Sequence, residues 1–260
     1  MPVVRQIDSF PEITPEDAPG GGVWPLRGEG PVTVLAHRGG SGPWRENTLE
    51  AFAGALTGGA DGVELDVRAS ADGALVVVHD AEVPGVGPVH EHDRAGLPPW
   101  MPSLGDALAV CAGALVDVEI KNLPTEAAFD PAERVAGAVA ALLADPAPGG
   151  PAGVVVSSFW PGALAAVARA RPELPLGLLV HPSLDTGAAL AAAADLGCRA
   201  LHPHWSRVDP SLVTEAHRRR LAVVAWTVNA PDELAAVVEA GVDVVVTDDV
   251  ASVLARLGRG

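Results

Sequence analysis

RALHPHWSRVDPSLVTEAHRRRLAVVAWTVNAPDELAAVVEAGVDVVVTD, residues 199–248, reads as three short apolar runs separated by two helical stretches. The runs are RALHPH (199–204), LAVVAWTV (221–228) and VDVVVTD (242–248), and the helices span 210–219 and 231–240, each with proline in its first turn. Strand, helix, strand, helix, strand is the signature of βα units around a parallel sheet. The pattern extends upstream through VTVLAHR (to residue 38), VELDV (63–67), LVDVEIK (115–121), VVVSS (154–158) and LPLGLLV (174–180), with further helices at 131–144, 161–171, 186–196 and, downstream, 249–257. Eight strands are the number a closed barrel needs. The expected fold is therefore α/β: a (β/α)8 TIM barrel.

One run exceeds the eight. ALVVVHD (74–80) follows VELDVR across the turn-forming Ser70-Ala71-Asp72-Gly73, so an extra β-hairpin strand is expected after the second barrel strand. A turn centred between Asp72 and Gly73 would set His79 opposite Asp66. The first helix is expected after Asn47, which can cap with Glu50 three residues on, and Leu49, Phe52, Ala53 and Leu56 then share one face.

The rest of the chain bounds the class. Its 260 residues leave room for two small domains or one large one, and 48% are hydrophobic without an apolar run near the ~20 residues of a membrane-spanning helix. Residues 1–30, rich in Pro, Gly and acids, are expected to form an N-terminal arm, and 31–260 the barrel domain, with DPAPGGPAG (145–153) a connecting loop. The opening MPVVRQIDSF lacks a signal-peptide layout and Cys111 and Cys198 are the only cysteines, so a cytoplasmic chain is expected. Seventeen basic against 33 acidic residues give a net charge of −16, which repels polyanions and argues against nucleic acid as a partner. A small phosphate-bearing substrate stays possible, because a bound divalent cation reverses the potential of one pocket without changing the global field.

Polar residues inside apolar strands are costly unless used. Glu64 and Asp66 lie two apart, on one face of a strand, and Asp117, Glu119 and Lys121 do the same in LVDVEIK. Carboxylates gathered at the ends of neighbouring strands form a hard-oxygen set suited to Mg²⁺ or Ca²⁺, while the bland reading is buried ion pairs with arginine. His37, followed by Arg38, Gly39 and Gly40, ends the first strand, and His79 ends the hairpin strand. Two histidines at the rim of such a site suit proton transfer, one removing a proton from the nucleophile and the other supplying one to the leaving oxygen. Lys121 is the sole lysine beside sixteen arginines, and reads either as a phosphate contact or as a salt bridge to Asp117 or Asp66. Trp226 either walls an alcohol-binding pocket or fills the barrel top. Glu46 is a loop or site residue; His202 and His204 read as rim structure, His90 and His92 as solvated.

HRG (37–39), ENT (46–48), ELD (64–66), HD (79–80), EIK (119–121), WTVN (226–229) and TD (247–248) together resemble the glycerophosphodiester phosphodiesterases, in order and spacing from about residue 32 to the C-terminus. The resemblance implies a (β/α)8 barrel and divalent-metal-dependent cleavage of a glycerophosphodiester to sn-glycerol 3-phosphate and an alcohol, with Mn²⁺ also admissible as the metal. It assigns acid/base work to His37 and His79, the metal to Glu64, Asp66 and Glu119, and phosphate contacts to Arg38 and Lys121. Lysophospholipids or phosphoinositides are alternative substrates of a related barrel, and a non-catalytic phosphate-ester-binding barrel is the other reading. The chain departs from the family at 81–104, where AEVPGVGPVHEHDRAGLPPWMPSL replaces the usual LDRTT-like stretch that shapes the alcohol or glycerol pocket. Arg45 and Val250 also stand where proline is usual.

Overall fold

A computed structural model of the chain describes residues 31–144 and 150–259; the arm of residues 1–30 and most of the 145–153 connection lie outside the described residues. The chain runs β1 (Thr33–His37), α1 (Leu49–Thr57), β2 (Gly62–Ala69), β3 (Leu75–Val77), β4 (Glu82–Val83), β5 (Gly87–Pro88), α2 (Leu104–Val110) and β6 (Leu115–Ile120). It continues α3 (Arg134–Leu142), β7 (Gly153–Ser158), α4 (Pro161–Ala170), β8 (Leu176–Val180), α5 (Thr186–Asp195) and β9 (Ala200–Pro203). It ends with α6 (Pro210–Arg218), β10 (Ala222–Ala225), α7 (Pro231–Ala240), β11 (Val244–Thr247) and α8 (Val250–Arg256). Eight parallel strands pair in the order β1-β11-β10-β9-β8-β7-β6-β2, and β2 returns to β1 to close the barrel. The ninth strand, β3, is the expected extra one and adds antiparallel to the outer end of β2.

Strand alternation sorts the side chains. Val63, Leu65 and Val67 of β2 and Val116, Val118 and Ile120 of β6 face outward into one continuous core shared with the helices. Inside the barrel, Leu35, Val155, Ala200, Ala222, Val224, Val244 and Val246 form an apolar plug. The inward positions of β2 and β6 are acidic instead, and the parallel register sets Glu64 beside Asp117, Asp66 beside Glu119, and His37 beside Glu64. The polar site and the apolar plug thus share one barrel interior. No helix among the described residues is long and apolar enough to cross a membrane.

Two local expectations are corrected. The hairpin pairs Val67 with Val77, so Val78 rather than His79 faces Asp66, and Val78 N donates to Asp66 O at 2.9 Å. The loop closes between Ser70 and Ala74, with Gly73 at φ +81°, so it spans three residues and its centre moves to Asp72. The cap of α1 is Thr48, whose hydroxyl accepts from Ala51 N at 3.3 Å; Asn47 is left-handed, at φ +57°, and its side chain serves elsewhere. Residues 81–104 fold around a small core of their own, in which Val83, Val89, Leu97 and Met101 cover Val76 and Val78 of the hairpin. α2, capped by Ser103, completes the segment without having been signalled by periodicity.

Candidate active site

The acidic cluster sits where barrel chemistry is expected, at the C-terminal ends of β1, β2 and β6. Glu64, Asp66 and Glu119 are all buried, and one oxygen from each lies within 4.8 Å of the others. Burial, reinforced by Asp66, Glu119 and Asp117, pushes the Glu64 carboxyl well above the usual carboxylate range. Burial likewise raises Glu119 to about 7, although Lys121 opposes it. Asp66 is the exception: burial would raise it, but the Lys121 and Arg38 charges outweigh burial and hold it low. Glu64 Oε1 accepts no hydrogen bond, and Asp66 Oδ1 has the Lys121 ammonium at 3.3 Å without hydrogen-bond geometry. A set of buried carboxylates short of positive charge, with oxygens unspent, fits a divalent cation.

The surrounding side chains are tightly organised. Lys121 Nζ lies 2.8 Å from Glu119 Oε1 as well as 3.3 Å from Asp66, so the salt-bridge alternative is realised, with Glu119 rather than Asp117 as the closer partner. Arg38 adopts a left-handed backbone, at φ +53°, from which its N donates to Glu64 Oε2 at 3.1 Å, its Nε stands 3.2 Å from Asp66 Oδ2 and its Nη1 pairs with Glu46. Gly39 next to it, at φ +90°, is obligatory: a Cβ would stand 2.7 Å from the Ala51 Cβ and 2.9 Å from its carbonyl carbon. Asn47 grips Asp66 twice, Nδ2 donating to Oδ2 at 2.8 Å and Oδ1 accepting from Asp66 N at 3.3 Å.

Each site histidine carries a carboxylate on Nδ1. For His37 it is Asp248, at 2.7 Å, whose other oxygen accepts from Asn229 Nδ2 at 2.6 Å; His37 Nε2 faces Glu64 at 4.0 Å. Asp248 is itself held low, chiefly by the hydrogen bond from His37. For His79 the partner is Asp80, also at 2.7 Å, and burial together with Lys121 holds the imidazole below its ordinary range. Since the carboxylate in each pair accepts, Nδ1 carries a proton, and in the neutral imidazole Nε2 is the nitrogen free to accept one.

Trp226 donates Nε1 to the His202 carbonyl at 2.6 Å and meets Phe159 and His204 edge-on, with centroids 5.4 and 5.2 Å away, so its ring is fixed at the barrel top. His204 opens a rim turn by accepting from Ser206 N. His202 is not rim structure: it is buried inside the barrel, with Nδ1 3.2 Å from Asp117 Oδ2. It lies there because β9 turns it inward, where Gly177 of β8 leaves room for its ring. His90 is exposed and His92 half-buried, both on the 81–104 segment. Sequence reading missed Asp248 as the partner of His37, Asn229 as the donor that holds Asp248, and Asn47 as a clamp on Asp66. All three stand in the motifs ENT, WTVN and TD, whose ends mark strand and helix boundaries but say nothing of which side chains they meet.

Against known proteins, residues 37–252 match the Glycerophosphoryl diester phosphodiesterase family. The chain is 29% identical over 248 residues to a glycerophosphodiester phosphodiesterase of Caldanaerobacter subterraneus subsp. tengcongensis, covering 87% of this chain and 98% of that one. Among solved structures it resembles an Oleispira antarctica phosphodiesterase in complex with the product sn-glycerol-3-phosphate, with TM-score 0.76 and 26% identity over 88% of this chain and 97% of the other. A Thermotoga maritima glycerophosphodiester phosphodiesterase, at TM-score 0.72 and 23% identity over 86% and 97%, shares the fold. With this barrel, this acidic cluster and these relatives, the chain belongs to the glycerophosphodiester phosphodiesterase family of phosphoric diester hydrolases.

Proposed function

We propose that the chain, through a single domain of residues 31–260, hydrolyses glycerophosphodiesters to sn-glycerol 3-phosphate and an alcohol by two-histidine proton transfer at a divalent-cation site. The observation that carries the reading is the buried, charge-deficient trio Glu64, Asp66 and Glu119, flanked by two imidazoles that each bear a carboxylate on Nδ1. Those three carboxylates would hold Mg²⁺, Ca²⁺ or Mn²⁺, which supplies Lewis-acid polarisation of a phosphoryl oxygen when bound.

The side chains do the rest. Lys121 and Arg38, both within 3.3 Å of Asp66, present positive charge to the non-bridging phosphate oxygens, and that charge stabilises the developing transition state. One histidine accepts, at Nε2, the proton of the attacking water, or of the substrate's own neighbouring hydroxyl, in which case the cyclic phosphate so formed is opened by a water in a second step with the two histidines exchanging roles. The other delivers a proton from Nε2 to the leaving alkoxide, as an imidazolium that its carboxylate partner stabilises. The depressed His79 keeps its Nε2 free near neutral pH. Trp226, locked by His202 and Phe159, forms a rigid wall beside the position of the alcohol.

The test is release of glycerol 3-phosphate from glycerophosphocholine and glycerophosphoethanolamine by chelator-stripped protein, with and without each cation. Cation-dependent release is expected. Cleavage of an aryl phosphodiester or a lysophospholipid alone would retain the mechanism and move the substrate; binding without turnover of any diester would refute the reading.

A further inference from the structure

Arg68 lies on β2 two residues beyond Asp66, on the inward strand face, and its side chain is only 6% exposed. A guanidinium carries five N–H donors and, once buried, is stable only where they find acceptors. Here Nη1 and Nη2 form a fork on Glu126 at 2.8 and 2.9 Å, while Nε donates to the backbone carbonyl of His79 at 2.7 Å. Nη1 also stands 3.4 Å from the carbonyl of Lys121. Glu126, in the connection between β6 and α3, would be raised by its partial burial, yet the Arg68 hydrogen bonds and charge hold it low. One side chain thus ties together β2, the residue that ends the hairpin and the loop beyond Lys121.

His79 needs such an anchor. It falls outside the β2–β3 ladder, which stops at Val77, and the partner of its ring, Asp80, is 63% exposed. Lysine could not replace the anchor, since a point ammonium cannot serve a carbonyl at one edge and a carboxylate fork at the other. We propose that Arg68, braced by Glu126, is a positioning residue that fixes the His79 backbone and so aims its imidazole at the reacting phosphodiester. This rests on His79 being a proton-transfer group, as proposed above.

A double-mutant cycle tests it, because a residue acting through His79 loses its effect once that imidazole is gone. Turnover of glycerophosphocholine at saturating cation is measured for wild type, Arg68→Gln, Glu126→Gln, His79→Ala and the doubles Arg68→Gln/His79→Ala and Glu126→Gln/His79→Ala. Displacements of about 1 Å in a reacting group cost on the order of 10²-fold, so Arg68→Gln is expected to lower kcat about 10- to 100-fold with KM within about threefold. Glu126→Gln, which keeps one acceptor for Arg68, is expected to cost about 5- to 10-fold, and in the His79→Ala background each substitution should cost less than about twofold. Equal losses in both backgrounds would mean that Arg68 only staples the loop and would overturn the inference, as would a folded Arg68→Gln protein with wild-type kcat. If Arg68→Gln does not fold, the Glu126→Gln pair decides by the same criterion. Wild-type turnover in His79→Ala would instead remove the premise, overturning the assignment of His79 and the positioning role with it.

Discussion

Replacing Asp248 by asparagine removes one charge from the site while leaving its shape. In the wild-type structure Asp248 Oδ1 holds His37 Nδ1 at 2.7 Å and Oδ2 accepts from Asn229 Nδ2 at 2.6 Å. An asparagine can satisfy one of these contacts through its oxygen, but its amide then faces a donor at the other. Either the Asn229 contact breaks or His37 is driven to the tautomer with the proton on Nε2, where it can no longer accept one. A hydrogen bond to a charged group contributes about 1.5–3 kcal/mol, and Asp248, at 40% side-chain exposure, is partly screened, so the lower part of that range applies. About 1.5–2 kcal/mol in the barrier corresponds to a kcat loss of about 10- to 30-fold. Steady-state kinetics on glycerophosphocholine at saturating cation measures it, with thermal unfolding as a control for folding. Turnover within twofold of wild type would refute the argument that Asp248 sets the proton on His37.

Four further outcomes are expected. Because Glu119 is raised to about 7 and Glu64 also lies high, cation binding must displace protons; calorimetry should show affinity falling as pH drops below about 7 with proton uptake by buffer, and pH-independent affinity would contradict it. The sign for folding is opposite: a carboxyl whose folded pKa exceeds its ordinary 4.5 makes the cation-free protein lose stability as pH rises from about 4.5 to 7, so chelated protein should gain more from added cation at pH 7.5 than at pH 5.5. Gly177→Ala would drive a Cβ into the His202 ring that Asp117 holds, costing about 1–3 kcal/mol and lowering Tm by about 2–4 °C per kcal/mol; an unchanged melting curve would show that the ring is free to move. Burial pushes the Cys111 and Cys198 thiols up to about 12, so native protein at pH 8 should resist alkylation and label only on unfolding, whereas labelling at the rate of a free thiol would show that the two sites open readily.

The barrel was legible because its signals are local. Short β-branched runs and Ala-rich helices with Pro in the first turn encode strand and helix through nearest-neighbour sterics, and eight such units are the number that closes a (β/α)8 barrel. Most of the acidic site was legible for the same reason: the two-residue period of a strand puts Glu64 with Asp66, and Glu119 with Lys121, on one face wherever the strand ends up. The errors arose where one residue of local geometry changes the partner. A three-residue rather than a two-residue loop shifted the hairpin register by one and took His79 off Asp66. Thr48 took the cap, and Asn47 was freed to clamp Asp66.

By itself the sequence determined which residues lie on strands, which face each takes, and hence that carboxylates from two strands and a histidine from a third converge at one end of a barrel. Only the tertiary structure decided how those charges pair. His37 and Asp248 are 211 residues apart and meet because β1 lies beside β11 at the closing seam. His202 reaches Asp117 across the interior, and Arg68 reaches Glu126 across 58 residues of chain. Face and period are properties of a few adjacent dihedrals, whereas an ion pair is chosen by which side chains the closed barrel leaves within about 3 Å of one another, out of reach of the water that would otherwise solvate them.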